Sequence, residues 1–357
     1  MPSQLPLDPI DPAAQPSANA PTRWWHSVYY TLLEKLRHQI LRQIEKLPAP
    51  SQFCWRNRAF TWWPTLFTQV PLFLTWQKAC AYFVTHRPKE HELIDLDSYS
   101  PGNIHSKNKP PRIAIHAHLF YKDMAILLAQ YIAKLPHKID LFISNPNGAD
   151  QTFLYDQFCL LPNVDRLQVR LTPNRGRDIA PLVDTFGPAL LEYDFIAHLH
   201  SKKSLGTNVI GGDWCHYLWD GLLNPENGCM TKIWALLENH SLVYPQKYQA
   251  IDVQNLRWGE HLPASRVLSA QLGIAPPSDH LSSTDYVEFP VGSMFWARSE
   301  ALAPLLGKFQ YHQFDAEEGQ TDQTLHHTIE RNLTRIALTS GKPIAVLKNT
   351  AHENAYP

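Results

Sequence analysis

The stretch NRGRDIAPLVDTFGPALLEYDFIAHLHSKKS, residues 174–204, decides the fold. It opens with Gly176 between Arg175 and Arg177, and Asp178 follows; a glycine there permits a tight backbone bend. Residues 179–191 place Ala180, Val183, Phe186, Leu190 and Leu191 at roughly helical spacing and predict a helix. Residues 193–200, YDFIAHLH, read as a buried strand that ends on Ser201, Lys202, Lys203 and Ser204. A turn, a helix and a strand that delivers polar side chains at its carboxyl end is how open α/β sheets build a ligand crevice. The side chains delivered are cationic or neutral, which points to an anionic ligand, phosphate first.

Outward from this stretch, strands and helices alternate. RIAIHAHLF at 112–120 predicts a strand, and 123–135 a helix with Met124, Leu127, Leu128, Tyr131 and Ile132 as its apolar face. DLFIS at 140–144 is a second strand, closed by the turn signal NPNG at 145–148, and LQVRL at 167–171 a third that leads into Asn174. Short links between such units require a parallel sheet with right-handed crossovers, so the class is α/β, an open and mostly parallel sheet flanked by helices. Residues 214–223 and 230–237 read as helices, 242–244 and the glycine-containing 289–298 as strands, and 321–336 as a helix that Thr321 would cap.

Residues 1–22, rich in Pro, Ala, Ser and Gln, predict a disordered tail. Residues 24–47 carry Trp25, Val28, Leu32, Leu36, Ile40, Ile44 and Leu47 on one helical stripe, with Lys35, Arg37, Arg42 and Lys46 outnumbering the acids elsewhere. Such a helix either packs on the rest of the chain or lies on an anionic membrane surface. Residues 55–84 are dense in aromatics and continue a helical extension, and the polar, proline-containing 88–111 reads as a linker. The domain plan is a tail (1–22), a helical N-terminal extension and linker (23–110), an α/β domain (111–345) and a C-terminal tail (346–357).

A formal net charge of −1 gives no global field to recruit nucleic acid, so electrostatic recognition must be local. Five cysteines at irregular spacing form no CxxC pair and read as reduced thiols in a cytoplasmic protein. No run approaches a membrane span, and the first residues lack the basic head and apolar run of a secretory signal.

Several residues carry chemistry on this reading. Arg175 and Arg177 can each hold a phosphate in two-pronged fashion, and Asp178 can accept from a sugar hydroxyl; the plainer alternative is a surface turn with an internal ion pair. Two His-x-His pairs, His116/His118 and His198/His200, place both imidazoles on one face of a strand and suit either hydrogen bonding or a metal. Residues 292–298, with Gly292, Ser293, Phe295, Trp296 and Arg298, are either a core strand or an aromatic wall for a sugar ring. The carboxylates of 315–322 precede a helix start, where the helix dipole favours them and where a general base such as Asp322 or Glu318 can stand.

These motifs in this order resemble the rhamnan synthesis protein F family of bacterial polysaccharide glycosyltransferases. The matching pieces are NRGRDIAP at 174–181, Tyr193 and Asp194 through HSKKS at 200–204, Trp214 before a leucine-rich helix, PVGSMFWAR at 290–298, and EGQTD at 318–322 running into IER at 329–331. The resemblance implies transfer of a deoxysugar, typically L-rhamnose from its dTDP form, onto a growing cell-surface glycan such as a lipopolysaccharide O-antigen. A more distant similarity is to inverting enzymes of the GT-A fold, in which an Asn-x-Gly turn, a helix and a strand lead to an Asp-x-Asp pair that holds a divalent metal under the diphosphate. Here His200, Ser201 and Lys202 stand at that place. Lys202 and Lys203 can neutralise the leaving diphosphate, so neither a divalent metal nor another cofactor is expected.

The donor site implied is Asn174, Arg175, Gly176, Arg177, Asp178, His198, His200, Lys202 and Lys203, and the acceptor side Trp214, Gly292, Ser293, Phe295, Trp296 and Arg298. Asp322, or else Glu318, would be the base for a single inverting displacement. The partners expected are a nucleotide sugar and a lipid-linked or other glycan acceptor at the inner face of the cytoplasmic membrane, which 24–47 would touch. A metal-dependent hydrolase built on the His-x-His strands and a non-catalytic glycan-binding subunit remain as alternatives.

Overall fold

The computed structural model describes residues 87–101, 110–202, 208–225, 228–248, 251, 256–320 and 323–348, with five isolated positions between 36 and 46. The chain divides into two units, Met1–Phe67 and Thr68–Pro357. In the first, positions 36, 39, 40 and 43 are helical, within the predicted helix 24–47. The expected N-terminal tail, the aromatic segment 55–84 and residues 349–357 lie outside the described residues, whereas Val346 and Leu347, placed in the expected C-terminal tail, end the last strand of the sheet and pair with Leu93 and Ile94.

The second unit runs β1 (His91–Ile94), β2 (Ile113–His118), α1 (Met124–Ile132), β3 (Ile139–Asn145), α2 (Gln151–Phe158) and β4 (Val164–Leu171). It continues with a π-helical turn (Pro181–Thr185), α3 (Gly187–Leu190), β5 (Phe195–His200), α4 (Asn208–Leu223), α5 (Cys229–Asn239) and β6 (Leu242–Pro245). After these come α6 (His261–Leu272), β7 (Phe295–Arg298), α7 (Leu325–Leu338) and β8 (Ile344–Leu347). The eight strands form one sheet in the order β1-β8-β6-β7-β5-β2-β3-β4. Every pairing is parallel except those of β7, which runs against both β5 and β6. The predicted class, an α/β fold with a mostly parallel sheet flanked by helices, is the observed one.

Strand period assigns the two faces. Ile113, Ile115 and Ala117 of β2, with Phe195, Ala197 and Leu199 of β5, join one core with α1, α2, α4 and α5. Ala114 and Ile196 face the other core, built from residues 179–193 together with α6 and α7. On that second face the next positions along both strands are histidines, His116 and His118 beside His198 and His200 in register. The sheet face thus turns from apolar to polar as it nears its carboxyl end.

Three departures from expectation have local causes. The helix expected over 179–191 is a π-helical turn followed by a short α3: Phe186 N–H donates to Pro181 O, and Pro188 brings no N–H to a continuing helix. Within the stretch read as a linker, His91–Ile94 forms β1, an edge strand paired with β8. The strand expected over 289–298 is limited to β7, because Gly292 and Ser293 both take left-handed backbone (φ 91° and 58°) and end the extended run.

Candidate functional site at the carboxyl edge of β2 and β5

Chain order reverses between β2 and β5: β2, β3 and β4 are laid down in one direction, and β5 returns to the other side of β2. In open α/β sheets, ligands bind outside the carboxyl ends of the strands at such a reversal. His118 ends β2 and His200 ends β5, so both His-x-His pairs converge there.

The four histidines are buried and bonded to one another and to their surroundings. His116 Nδ1 lies 3.0 Å from His198 Nδ1, with the rings stacked, and His116 Nε2 lies 3.0 Å from Ser144 Oγ. The same hydroxyl lies 2.9 Å from His118 Nδ1. His198 Nε2 lies 3.1 Å from Asp178 Oδ2, and His200 Nε2 donates to Gly292 O at 2.7 Å. Burial, joined by the nearby imidazoles His198 and His118, holds the His116 ring well below the ordinary histidine range. Burial likewise pushes His118 down to about 4 and lowers His200. Burial works to raise Asp178, but His200 and the hydrogen bond from His198 outweigh it, and the carboxyl is held well below the usual range. Asp178 is therefore the carboxylate of the cluster, and burial opposes protonation of His116, His118 and His200.

Lys202 follows directly, its ammonium 3.8 Å from the centre of the Trp214 ring. Burial lowers its pKa, and Glu330 and Asp178 oppose that shift. Glu330 on α7 accepts the Gly292 N–H at 2.7 Å, and burial raises its carboxyl despite Arg331 and Lys202. A Cβ on Gly292 would come within 2.9 Å of Trp214, so the backbone must be bare for the indole to lie against it. Sequence reasoning quoted Glu330 inside the IER motif of 329–331 without a role, and gave Ser144 none. The contact of Glu330 with Gly292 N–H is visible only in the fold.

The turn 174–178 behaves differently from its composition. Gly176 has φ 64°, and a Cβ there would meet Phe314 at 2.6 Å and Ala180 at 2.7 Å. Arg175 spends its guanidinium on Phe314 O, through Nε at 2.9 Å and Nη2 at 2.6 Å. Arg177, itself left-handed at φ 50°, donates to Glu317 Oε2 at 3.1 Å and to Gln320 O, and its Nη1 stands 3.4 Å from His327 Nε2. Both arginines thus tie this turn to the 314–327 segment, while Arg177 remains near enough to depress Lys202 electrostatically. Asn174 is exposed and uses its carbonyl to accept from Glu317 N–H.

The structure brings together Arg177, Asp178, His198, His200, Lys202, Trp214 and Gly292, and adds His116, His118, Ser144 and Glu330. It does not bring the rest of the expected aromatic wall to this edge. Phe295 packs in one core against His198, and Trp296 faces the opposite core with its Nε1–H donated to Leu222 O. Arg298 pairs in register with Phe195, at the amino end of β5, and bonds Glu300 and Leu237 O. The antiparallel run of β7 is the reason. Ser293 closes a turn onto Pro290 O, and Glu318 is exposed. Lys203 and Asp322 lie outside the described residues.

Among the described residues no group of three or more His, Cys, Asp and Glu side chains is disposed to hold a metal ion. Both ring nitrogens of His116 and of His198 are taken by other partners, which leaves the metal-hydrolase alternative without an assembled ligand set there. The cysteines Cys159, Cys215 and Cys229 are free thiols. Among the described residues no helix is long and apolar enough to cross a membrane.

Comparison with known proteins agrees with the motif order. Two curated relatives are the uncharacterized proteins WxcX of Xanthomonas campestris pv. campestris, from strains ATCC 33913 and B100. Each is 31% identical, over 192 and 181 residues respectively, about 50% of this chain. The chain spans about a quarter of the length of these relatives. Residues 74–342 match the family described as rhamnan synthesis protein F, three quarters of the sequence and the whole of the sheet between β1 and α7; the chain belongs to that family.

Proposed function

We propose that this chain is a glycosyltransferase of polysaccharide synthesis that moves a deoxysugar of the L-rhamnose type from a dTDP donor to a glycan acceptor. The displacement is single and inverting, in a GT-A-like site. The observation that carries the proposal is Lys202, an ammonium set on Trp214 beside Asp178 at the β2/β5 edge, where metal-dependent relatives of this geometry would hold a cation. Family membership supports the sugar class. Lys202, with Lys203 next in sequence and Arg177 close by, neutralises the diphosphate as it leaves, the charge stabilisation a bound ion otherwise supplies. No divalent metal is required on this reading. Asp322 removes the acceptor proton, and the acceptor is a lipid-linked glycan reached from the membrane face through residues 24–47.

Calorimetric titration of the full chain with dTDP-L-rhamnose, in buffer containing EDTA, tests this. Wild type binds, and Lys202→Met weakens binding by about ten- to a hundredfold, the worth of one charge-assisted contact. Absence of binding by wild type, or equal binding by the variant, overturns the proposal.

A further inference from the structure

The five groups His118, Ser144, His116, His198 and Asp178 form one unbroken chain of contacts between 2.9 and 3.1 Å. Its protons can be placed from the Asp178 end. A carboxylate only accepts, so His198 donates from Nε2 and, as a neutral ring, accepts at Nδ1. His116 must then donate from Nδ1, which makes its Nε2 an acceptor. Ser144 donates its hydroxyl proton to that nitrogen and accepts from His118 Nδ1–H. His198 and His116 each give one hydrogen bond and take one, and no ring nitrogen between the two ends is left over.

The other end is His118 Nε2. It carries no proton in this scheme, and it is the one ring nitrogen of the chain with no protein hydrogen bond among the described residues. It belongs to the last residue of β2, at the edge where the ligand is expected.

We propose that Asp178, His198, His116 and Ser144 are positioning residues that lock His118 as the Nδ1–H tautomer, with a bare Nε2 that accepts a hydrogen bond from a sugar hydroxyl. A bare lone pair repels phosphate and suits a neutral donor, so the edge divides its labour: Lys202 takes the diphosphate and His118 the sugar. The opposite arrangement, an imidazolium at His198 paired with Asp178, would keep the His198–Asp178 bond but reverse the three beyond it and turn His118 Nε2 into a donor. The two arrangements differ in an observable, since the second shows a doubly protonated His198 and an Nε2–H on His118. The assignment of the sugar as ligand rests on the glycosyl-transfer reading; the tautomers do not.

Long-range ¹H–¹⁵N correlation of the ¹⁵N-histidine-labelled full chain at neutral pH, assigned with single His→Gln variants, reads each ring. The ligand-free protein shows Nδ1–H at His118 and His116 and Nε2–H at His198. Ser144→Ala cuts the chain, so His118 reverts toward the Nε2–H form that free histidine prefers, while His116 and His198 keep theirs. Should that variant fail to fold, Ser144→Cys makes the same comparison with a weakly bonding side chain. An Nε2–H His118 in wild type, a doubly protonated His198, or a His118 indifferent to Ser144 overturns the relay. At saturation, dTDP-L-rhamnose moves the His118 Nε2 resonance and dTDP alone does not; equal responses overturn the hydroxyl assignment. Failure of both nucleotides to bind counts against the glycosyl-transfer reading instead, with the relay already judged on ligand-free spectra.

Discussion

His118 illustrates how much one side chain here depends on its surroundings. Its ring is held down to about 4 by burial, against 6.5 for an unperturbed histidine. A base whose pKa is lower folded than unfolded stabilises the fold above the unfolded value and loses that contribution as pH falls toward the folded one. The window is therefore pH 6.5 down to about 4, with a size on the order of 3 kcal/mol from this ring alone. Urea midpoints measured across that window fall for wild type and fall less steeply for His118→Gln. The acid–base pair can be addressed at the same scale. Glu330 has a raised carboxyl pKa and adjoins Lys202, whereas Asp322 is the base expected from sequence. Turnover should drop by about a hundredfold or more in Asp322→Asn, the scale of general-base loss, and by much less in Glu330→Gln; the reverse order transfers the role to Glu330. Sequence alone carried Asp178, His198, His200 and Lys202 to one sheet edge, because each sits at the end of a legible strand or turn, and the structure places them together there. It missed Ser144 because a lone serine at a strand end carries no pattern. It read Arg175 as a phosphate clamp, since nothing local reveals that its guanidinium goes to the Phe314 carbonyl.

The elements themselves were readable in proportion to their contacts with a single core. Strands β2, β3 and β5 are buried on both faces and appear as apolar runs, so their existence was plain and only their ends moved. Helices α2 and α6 were missed: their sequences, QTFLYDQF and HLPASRVLSAQL, mix polar and apolar positions without a strong stripe, and packing decides them. The edge strand β1 was hidden for another reason. It is held by partners far along the chain: β8 by backbone, and Glu288, whose carboxylate bonds Arg87 at 3.1 Å and His91 at 3.2 Å. Burial raises that carboxyl, but the hydrogen bonds from His91 and Arg87 prevail and lower it, so it serves as an anion. Glu288→Gln should loosen this edge by about 1–3 kcal/mol, the scale of a charged hydrogen bond lost with its partner left behind. Hydrogen exchange would rise at residues 91–94 and stay level in β2 and β5.

At the level of the whole molecule, the order of strands does what no single motif can. The two His-x-His pairs are 82 residues apart in sequence, yet parallel pairing of β2 with β5 puts them in register, and the return of the chain after β4 sets them at the carboxyl edge where the strand order reverses. That juxtaposition was foreshadowed by alternating strands and helices but not specified by them, because register across a sheet is a long-range property. The proposed membrane contact also belongs to this scale. Vesicles containing phosphatidylserine should float the full chain at low salt. They should lose it at high salt, or when Lys35, Arg37, Arg42 and Lys46 are all changed to Gln; indifference to charge would remove the contact from the proposal. The reversed direction of β7 has one more effect. The few residues from Gly292 to Arg298 travel from the ligand edge to the far rim of the sheet, so an alanine scan along them becomes a ruler across the protein. Changes near its start should register in sugar affinity, those in its middle in melting temperature, and those at its end in neither affinity nor turnover.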